Sequence, residues 1–159
     1  MRRSDRQVTD FFEITDILRR ADTIRVGLHD EPYPYVVPLS FGYEAMGGAI
    51  TLYFHGATEG LKHDLIAKNP NICVEADIFH RYTEVPGSVT TEYESFIGFG
   101  TARRVFGEEA VKGLDLLLDH CGYSGFAYDR GALDVTAVYK ITLDSFTGKR
   151  RFVTNPHIE

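Results

Sequence analysis

The fold is decided by one stretch of the sequence, residues 50–62, which has the letters ITLYFHGATEGLK. Its first five residues are apolar, β-branched or aromatic, which is typical of a strand with a buried face. A helical pattern begins near Thr58 or Glu59 and continues to Asn69-Pro70, where the proline ends it. A strand that passes so directly into a helix leaves the first backbone N–H groups of that helix unpaired. These groups and the helix dipole attract anions, so the stretch predicts a pocket for a phosphate-like group.

The candidate cation of this pocket is Lys62, which falls in the first predicted turn of the helix. A lysine on a helix is most often a solvated surface residue. Two upstream glycines favour a binding role, because glycine in a first turn costs up to about 1 kcal/mol relative to alanine and allows close approach of a ligand. The spacing GxxxxGK[ST] is absent, so the pattern favours a phosphate other than a nucleoside triphosphate. His55 has three open roles: a hydrogen bond to the anion, ligation of haem iron, or packing at the strand end.

The remaining segments predict a mainly β fold of six or so strands with peripheral helices. The predicted strands cover residues 23–28, 34–43, 50–54, 72–76, 91–101 and 136–143, and residues 77–90 are predicted to be a loop or a long hairpin connection. Helix and strand alternate too rarely for a doubly wound α/β fold, and no GxGxxG follows a first strand. We therefore expect one domain over residues 1–159, mostly antiparallel and closed or nearly closed as a small barrel.

Local patterns give finer expectations for the helices and for one strand. Thr9 or Asp10 can cap a first helix, and Glu13 stands three residues after Asp10, close to a capping box. The residues expected to be buried on the three helices are Ile14, Ile17 and Leu18, then Leu61, Leu65 and Ile66, then Val111, Leu114, Leu117 and Leu118. Pro38 predicts an open edge in its strand, because proline cannot donate to a ladder.

Composition excludes several classes of partner. The net charge is −6 and the pI is about 5.5, which argues against binding to nucleic acid. No apolar run approaches the roughly 20 residues of a membrane span, and no apolar segment follows the charged N-terminus as in a signal peptide. Cys73 and Cys121 are far apart and form no CxxC, so neither a disulfide framework nor a zinc site is indicated. The expectation is a cytoplasmic protein without membrane or nucleic-acid partners.

No motif supplies a set of catalytic residues. The sequence has no HExxH and no GxSxG elbow, so no metal ligands and no serine nucleophile are predicted. Aromatic residues make up 13% of the chain, and a β-rich core explains most of them. Five of them could also form walls for a flat cofactor: Tyr35, Phe41, Tyr43, Tyr53 and Phe54.

Two blocks of the chain resemble a known family: VPLSFGY at residues 37–43 and LYFHGATEGLK at residues 52–62. Both are similar to the nitroimidazole-resistance branch of the pyridoxamine 5′-phosphate oxidase-like flavoproteins. Weaker similarity lies in RSDR at 3–6, YESFIGFGT at 93–101 and TGK at 147–149, so the resemblance extends over nearly the whole chain. It implies a split β-barrel that forms a homodimer and binds FMN in clefts at the subunit interface. FMN is favoured over haem as the cofactor.

The resemblance also implies a set of site residues. Beside the flavin ring it places Val37, Pro38, Leu39, Ser40 and Phe41, with backbone groups near the polar edge of the ring. Beside the ribityl chain and phosphate it places Tyr53, Phe54, His55, Gly56, Ala57, Gly60 and Lys62, with Lys62 as the phosphate cation. Many chains of this branch carry Asn where Ser40 stands here, so the substrate preference is left open.

The activity implied by the resemblance is that of an FMN-dependent oxidoreductase, a reductase of nitroimidazoles, other nitro-aromatics or related small molecules. A flavin carries out the electron transfer itself, which agrees with the absence of a catalytic constellation in the sequence. Two alternatives remain: a non-enzymatic protein that stores or senses flavin or haem, and a true pyridoxamine phosphate oxidase, for which the chain is short.

Overall fold

The structure, a computed structural model, describes residues 3–153, without the side chains of Arg130 and Ala132. Within that range the strands are β1 (Gln7–Val8), β2 (Ile24–Leu28), β3 (Tyr35–Leu39), β4 (Gly42–Met46), β5 (Ala49–Ala57), β6 (Asn71–Val85), β7 (Ser88–Val105) and β8 (Thr136–Arg151). The α-helices are α1 (Phe11–Arg20), α2 (Leu61–Lys68) and α3 (Gly107–His120). Short 3₁₀ turns cover Ser4–Arg6 and Arg130–Val135. No helix in this range combines the length and the apolar character that a membrane span requires.

The strands form one antiparallel sheet whose two edges belong to consecutive strands. Its order is β3-β2-β6-β7-β8-β5-β4, and β1 pairs separately with β8. Only Ser40 and Phe41 separate β3 from β4, so the chain itself crosses from one edge of the sheet to the other. The sheet is therefore curled into a barrel that stays open between β3 and β4, which confirms the predicted split β-barrel. Pro38 lies in the edge strand β3, as its missing N–H requires.

The barrel interior is filled by alternating apolar residues of the strands and by one face of α1. Ile17 and Leu18 of α1 are fully buried, as are Ile24 and Val26 of β2. Asp10 caps α1 by accepting a hydrogen bond from the Glu13 amide at 3.0 Å, which confirms the predicted start of this helix.

The region between residues 77 and 90 is a long hairpin and contains almost no loop. β6 and β7 pair from Asn71↔Thr101 to Val85↔Ser88, around a turn at Pro86 and Gly87, and Gly87 has φ +72°. The strand pattern is hard to recognise in the sequence because none of the residues 77–90 is buried, so no apolar alternation marks this part of the hairpin. Further along β7, Glu92 and Glu94 face inward. Acidic residues are rarely buried unless they are paired, and both are paired here.

Glu94 is the centre of a buried charge network that joins three elements. Its side chain is only 2% exposed and accepts hydrogen bonds from Arg20 at 2.7 Å, Arg150 at 2.8 Å and His80 at 3.0 Å. Burial raises the pKa of Glu94, but these three hydrogen bonds outweigh burial and lower the pKa to about 2. The network attaches α1 and β8 to the long hairpin.

Two helices differ in detail from the sequence predictions. α2 begins at Leu61, two or three residues later than expected, and Leu61 is 49% exposed, whereas His63 is buried beside Leu65 and Ile66. On α3 the buried residues are Ala110, Gly113 and Leu117, whereas Val111, which was expected to be buried, is 36% exposed. The inward face of α3 needs small residues because it packs closely on β5, where Gly113 lies against the Tyr53 ring.

We predict that Glu94→Gln lowers the free energy of unfolding by about 3 kcal/mol, because it removes the buried carboxylate that Arg20 and Arg150 share and leaves each of them only a more exposed partner, Asp16 or Glu13. The measurement is urea denaturation at neutral pH. Glu75→Gln is the matched control, since Glu75 pairs with the exposed Arg25 at 2.9 Å. That exposed pair is expected to contribute less than about 1 kcal/mol. Equally small losses for both variants would contradict a structural role for the network.

Candidate functional site

The predicted phosphate pocket lies where β5 ends and α2 begins. Gly60 is the residue before α2, with φ 130° and ψ 167°, and it offers no side chain to cap the helix. Its carbonyl accepts from the amides of His63 at 2.9 Å and Asp64 at 3.4 Å. Among residues 3–153, no hydrogen-bond acceptor is found for the amides of Leu61 and Lys62. Free amides at the positive end of a helix favour binding of an anion.

Lys62 folds back over the end of β5 instead of extending away from the helix. Its Nζ and Cε lie directly over Gly56, where the Cβ of any larger residue would overlap them. The side chain is partly buried, and it forms no ion pair with any part of the chain that the structure describes. The junction therefore holds a positive charge that no neighbouring carboxylate neutralises.

His55 lies near the end of β5, where it pairs with Val138 of β8. Its ring is exposed, yet partial desolvation by surrounding atoms, followed by the charge of Lys62, lowers its pKa. The imidazole is therefore neutral at pH 7 and can donate or accept one hydrogen bond.

His63 is the site residue that sequence reasoning missed. It is 9% exposed, and its Nδ1 lies 2.6 Å from the Tyr139 hydroxyl of β8. Its Nε2 is buried, with no hydrogen-bond partner among the residues described. The sequence carried a weak signal for this burial, because His63 precedes Ile66 by three residues and so shares the inward face of α2.

The residues predicted to lie along a flavin ring occupy the open edge of the barrel. Val37 and Leu39 pack partly against the core, while Pro38 and Ser40 of β3 and the crossover are exposed. Gly42 pairs with Tyr53, so the crossover from β3 arrives beside the middle of β5, four residues before this strand ends at Ala57. The two blocks that carry the family resemblance are thus neighbours in space.

The prediction that five aromatic side chains form walls for a flat cofactor is wrong for three of them. Phe41, Tyr53 and Phe54 are at most 1% exposed. Phe41 packs on His120 with a centroid distance of 4.4 Å, and Phe54 stacks on Tyr139 at 5.0 Å. Tyr35 and Tyr43 are only partly buried against the same core. The core takes the aromatic side chains because they bury the largest apolar areas, so Phe41, Tyr53 and Phe54 offer almost no surface to a ligand.

A cleft of about 490 Å³ lies between α2 and the β7–β8 pair, next to the phosphate pocket. Thr58, His63, Arg104 and Tyr139 are among its lining residues. Arg104 lies over the Phe106 ring at 5.2 Å and has no ion pair within residues 3–153. Lys62 and Arg104 therefore place positive charge on two sides of His63, in a chain whose net charge is −6.

Comparison with known proteins gives one family match. The sequence model described as pyridoxamine 5′-phosphate oxidase matches residues 12–150. Among solved structures, a candidate 5-nitroimidazole antibiotic resistance protein of Bacteroides thetaiotaomicron is 32% identical, with a TM-score of 0.80, and the match covers 90% of this chain and 85% of that one. No curated protein sequence matches the chain.

Two further structures share the fold at lower sequence identity. A flavocytochrome of Azotobacter vinelandii has a TM-score of 0.80 at 17% identity, covering 98% of this chain and 75% of that one. A FAD and haem binding protein of Mycobacterium smegmatis has a TM-score of 0.78 at 22% identity, covering 93% of this chain and 74% of that one. At these identities the similarity shows the fold alone.

We predict that Gly56→Ala weakens binding of FMN, the cofactor implied by the family resemblance, because the new methyl group displaces the Lys62 ammonium. Loss of one charge-assisted hydrogen bond is expected to lower the affinity about tenfold, as measured by quenching of flavin fluorescence. The free energy of unfolding should change little, since only the end of a flexible side chain must move.

The control for this prediction is Gly27→Ala in β2, where a Cβ would meet Cys73 at an ordinary 3.6 Å. Gly27→Ala should leave FMN affinity unchanged. If Gly56→Ala binds FMN as tightly as the wild type does, the contact between Gly56 and Lys62 has no role in the site.

Proposed function

The chain belongs to the pyridoxamine 5′-phosphate oxidase family, and from this membership we propose that it is an FMN-dependent oxidoreductase that acts on small molecules as a homodimer. The observation that carries the proposal is the unneutralised anion pocket at the β5–α2 junction, beside the open edge of the barrel. This pocket and this edge are the positions where the family resemblance puts the phosphate and the ring of FMN.

The residues present fit a phosphate ester. Lys62 supplies the cation, the amides of Leu61 and Lys62 are free to donate, and Gly56 and Gly60 present bare main chain. Bound FMN would supply hydride and electron transfer, the chemistry that the side chains of the site lack. The backbone near Pro38, Ser40 and Phe41 would orient the polar edge of the ring, with Val37 and Leu39 beside it.

An exposed apolar strip on the long hairpin supports the homodimer. Phe79 of β6 is 54% exposed, and on β7 Ile97 is 39% and Phe99 is 55% exposed. Ile97 and Phe99 are two residues apart, so they lie on the same outward face of the strand. Exposed large apolar side chains on one face of a sheet are typical of a protein interface.

We predict that sedimentation equilibrium gives about twice the chain mass of 17.9 kDa for the wild type. Phe99→Glu should shift the protein toward the monomer, because a buried unpaired carboxylate opposes association. Met46→Glu is the control, since Met46 is 84% exposed at the turn between β4 and β5. A monomeric wild type, or a dimer unaffected by Phe99→Glu, would contradict the proposed interface.

The main test of the proposed function is to add FMN to the purified protein and to record the visible spectrum of the protein. We predict flavin bands that stay with the protein through gel filtration. Lys62→Ala should weaken FMN binding by about 10- to 100-fold, the range for a charged hydrogen bond, whereas Lys68→Ala in the last turn of α2 should not. A spectrum without flavin bands that does not change when FMN is added would overturn the proposal, and an unchanged Kd for Lys62→Ala would remove this lysine from the site.

The substrate class follows from the similarity to the Bacteroides protein, and we infer that nitroimidazoles or related nitro-aromatics accept electrons from the reduced cofactor. Anaerobic reoxidation of the photoreduced flavoprotein by a nitroimidazole is the expected result. If the flavin is bound and no such acceptor reoxidises it, the non-enzymatic storage or sensing role is favoured. The neutral imidazole of His55 can also ligate haem iron, and a Soret band in place of flavin bands would identify a haem-binding protein.

A further inference from the structure

We propose that His63 is a positioning residue that orients the phosphate-binding loop by donating a hydrogen bond from Nε2 to the Ala57 carbonyl. Tyr139 holds the ring in the required tautomer from the other side. The proposal rests on the proposed function, since it concerns how this chain holds the phosphate of FMN.

The 2.6 Å contact between His63 Nδ1 and the Tyr139 hydroxyl joins two neutral groups. Desolvation is the main cause that lowers the pKa of His63, with Lys62 and Arg104 acting in the same direction. Desolvation also raises the pKa of Tyr139. Both side chains are therefore neutral at pH 7, and across 2.6 Å either one can donate to the other. The proposal assigns the donor role to the Tyr139 hydroxyl, because a hydrogen bond from Nε2 to a carbonyl requires the imidazole proton on Nε2. A neutral imidazole that accepts at Nδ1 carries its proton on Nε2.

The Nε2 side of the ring faces the glycine loop. An ideal Cβ on Gly60 would lie 3.8 Å from His63 Cδ2, and one on Gly56 would lie 3.9 Å from Cε1. These two ring carbons flank Nε2, so the N–H is directed between the two glycines. The Ala57 backbone lies in this segment and raises the pKa of His63 slightly, as a nearby acceptor does, although it is short of hydrogen-bond geometry.

The geometry of the peptide unit links this inward contact to the ligand. In a trans peptide the C=O and the following N–H point in opposite directions. A hydrogen bond that draws the Ala57 carbonyl toward His63 therefore turns the Thr58 N–H outward, toward the anion pocket. A phosphate that accepts from Thr58 would in turn rotate the Ala57 carbonyl inward, so the two hydrogen bonds reinforce each other.

The cost of burying His63 supports a role beyond packing. A buried donor without a partner destabilises the folded state, whereas a leucine or isoleucine at this position would leave no polar atom unsatisfied. Leu65 and Ile66 fill the neighbouring inward positions of α2 with apolar side chains. His63 is the buried side chain with an unpartnered polar atom among the residues described, and that atom lies under the loop predicted to bind phosphate.

The test compares a flavin that carries the phosphate with one that lacks it. FMN and riboflavin are titrated into the wild type, His63→Leu, His63→Gln and Tyr139→Phe, with flavin fluorescence as the readout and urea denaturation as a check on folding. His63→Leu should weaken FMN binding about tenfold, the effect of one hydrogen bond to the phosphate-binding loop, and leave riboflavin binding within about twofold. His63→Gln keeps an N–H donor and should restore most of the FMN affinity, while Tyr139→Phe should show a smaller selective loss.

A second readout follows the Thr58 amide directly by ¹H–¹⁵N NMR. We expect its proton resonance to move downfield on addition of FMN to the wild type and to stay in place in His63→Leu. Equal losses of FMN and riboflavin affinity, an unchanged FMN affinity, or no advantage of Gln over Leu would each overturn the positioning role.

The two proposals fail in distinguishable ways. If the wild type binds no FMN, the proposed function is overturned, and inorganic phosphate becomes the probe for the loop. A phosphate-induced shift of the Thr58 amide in the wild type, absent in His63→Leu, would still support the role of His63. The absence of that shift in the wild type would overturn it as well.

Discussion

The rest of the structure depends on a constraint at Ser40 and Phe41, which carry the chain between the two edges of the eight-stranded sheet. β3 and β4 are consecutive in sequence and lie farthest apart in the strand order, so the sheet must curl until its edges meet. Phe41 anchors the crossing, because its side chain is fully buried against His120. The two edges of the sheet are thus joined by the chain itself and not by backbone hydrogen bonds between β3 and β4. The main-chain groups on the outer sides of these two strands stay unpaired along the opening. An opening of this kind, next to β5, is where a flat cofactor can be bound by backbone atoms.

Charge is distributed so that the two ends of this fold have different roles. At the far end of the long hairpin, the carboxylates of Glu92 and Glu94 are buried and satisfied by arginines, which secures the packing of α1 and β8. At the β5–α2 junction the balance is reversed, because Lys62 has no acidic partner among residues 3–153 and the helix dipole adds to its field. A chain with a net charge of −6 therefore keeps a local positive site, which is the electrostatic requirement for binding a phosphate ester.

Much of the fold could be predicted from the sequence because its signals are local. The cap at Asp10, the strand-to-helix change after β5 and the edge position of Pro38 each follow from one residue type at one position. The length of the β6–β7 hairpin could not be predicted, because none of the residues 77–90 is buried and their pairing depends on contacts that no local apolar pattern marks. The same limit applied to the site. The residue types of Phe41, Tyr53 and Phe54 favour ligand walls, but the strand register places their side chains in the core. The environment of His63 depends on Tyr139, which is 76 residues away in the sequence.

The central claim is that the β5–α2 junction binds the phosphate of a flavin whose ring lies along the open edge of the barrel. A crystal structure of the protein grown with FMN tests this most directly. The account predicts that phosphate oxygens lie within hydrogen-bonding distance of Lys62 Nζ and the first amides of α2, with the ring beside residues 37–41. A phosphate bound anywhere else on the chain, or a ring remote from the β3–β4 crossover, would contradict it.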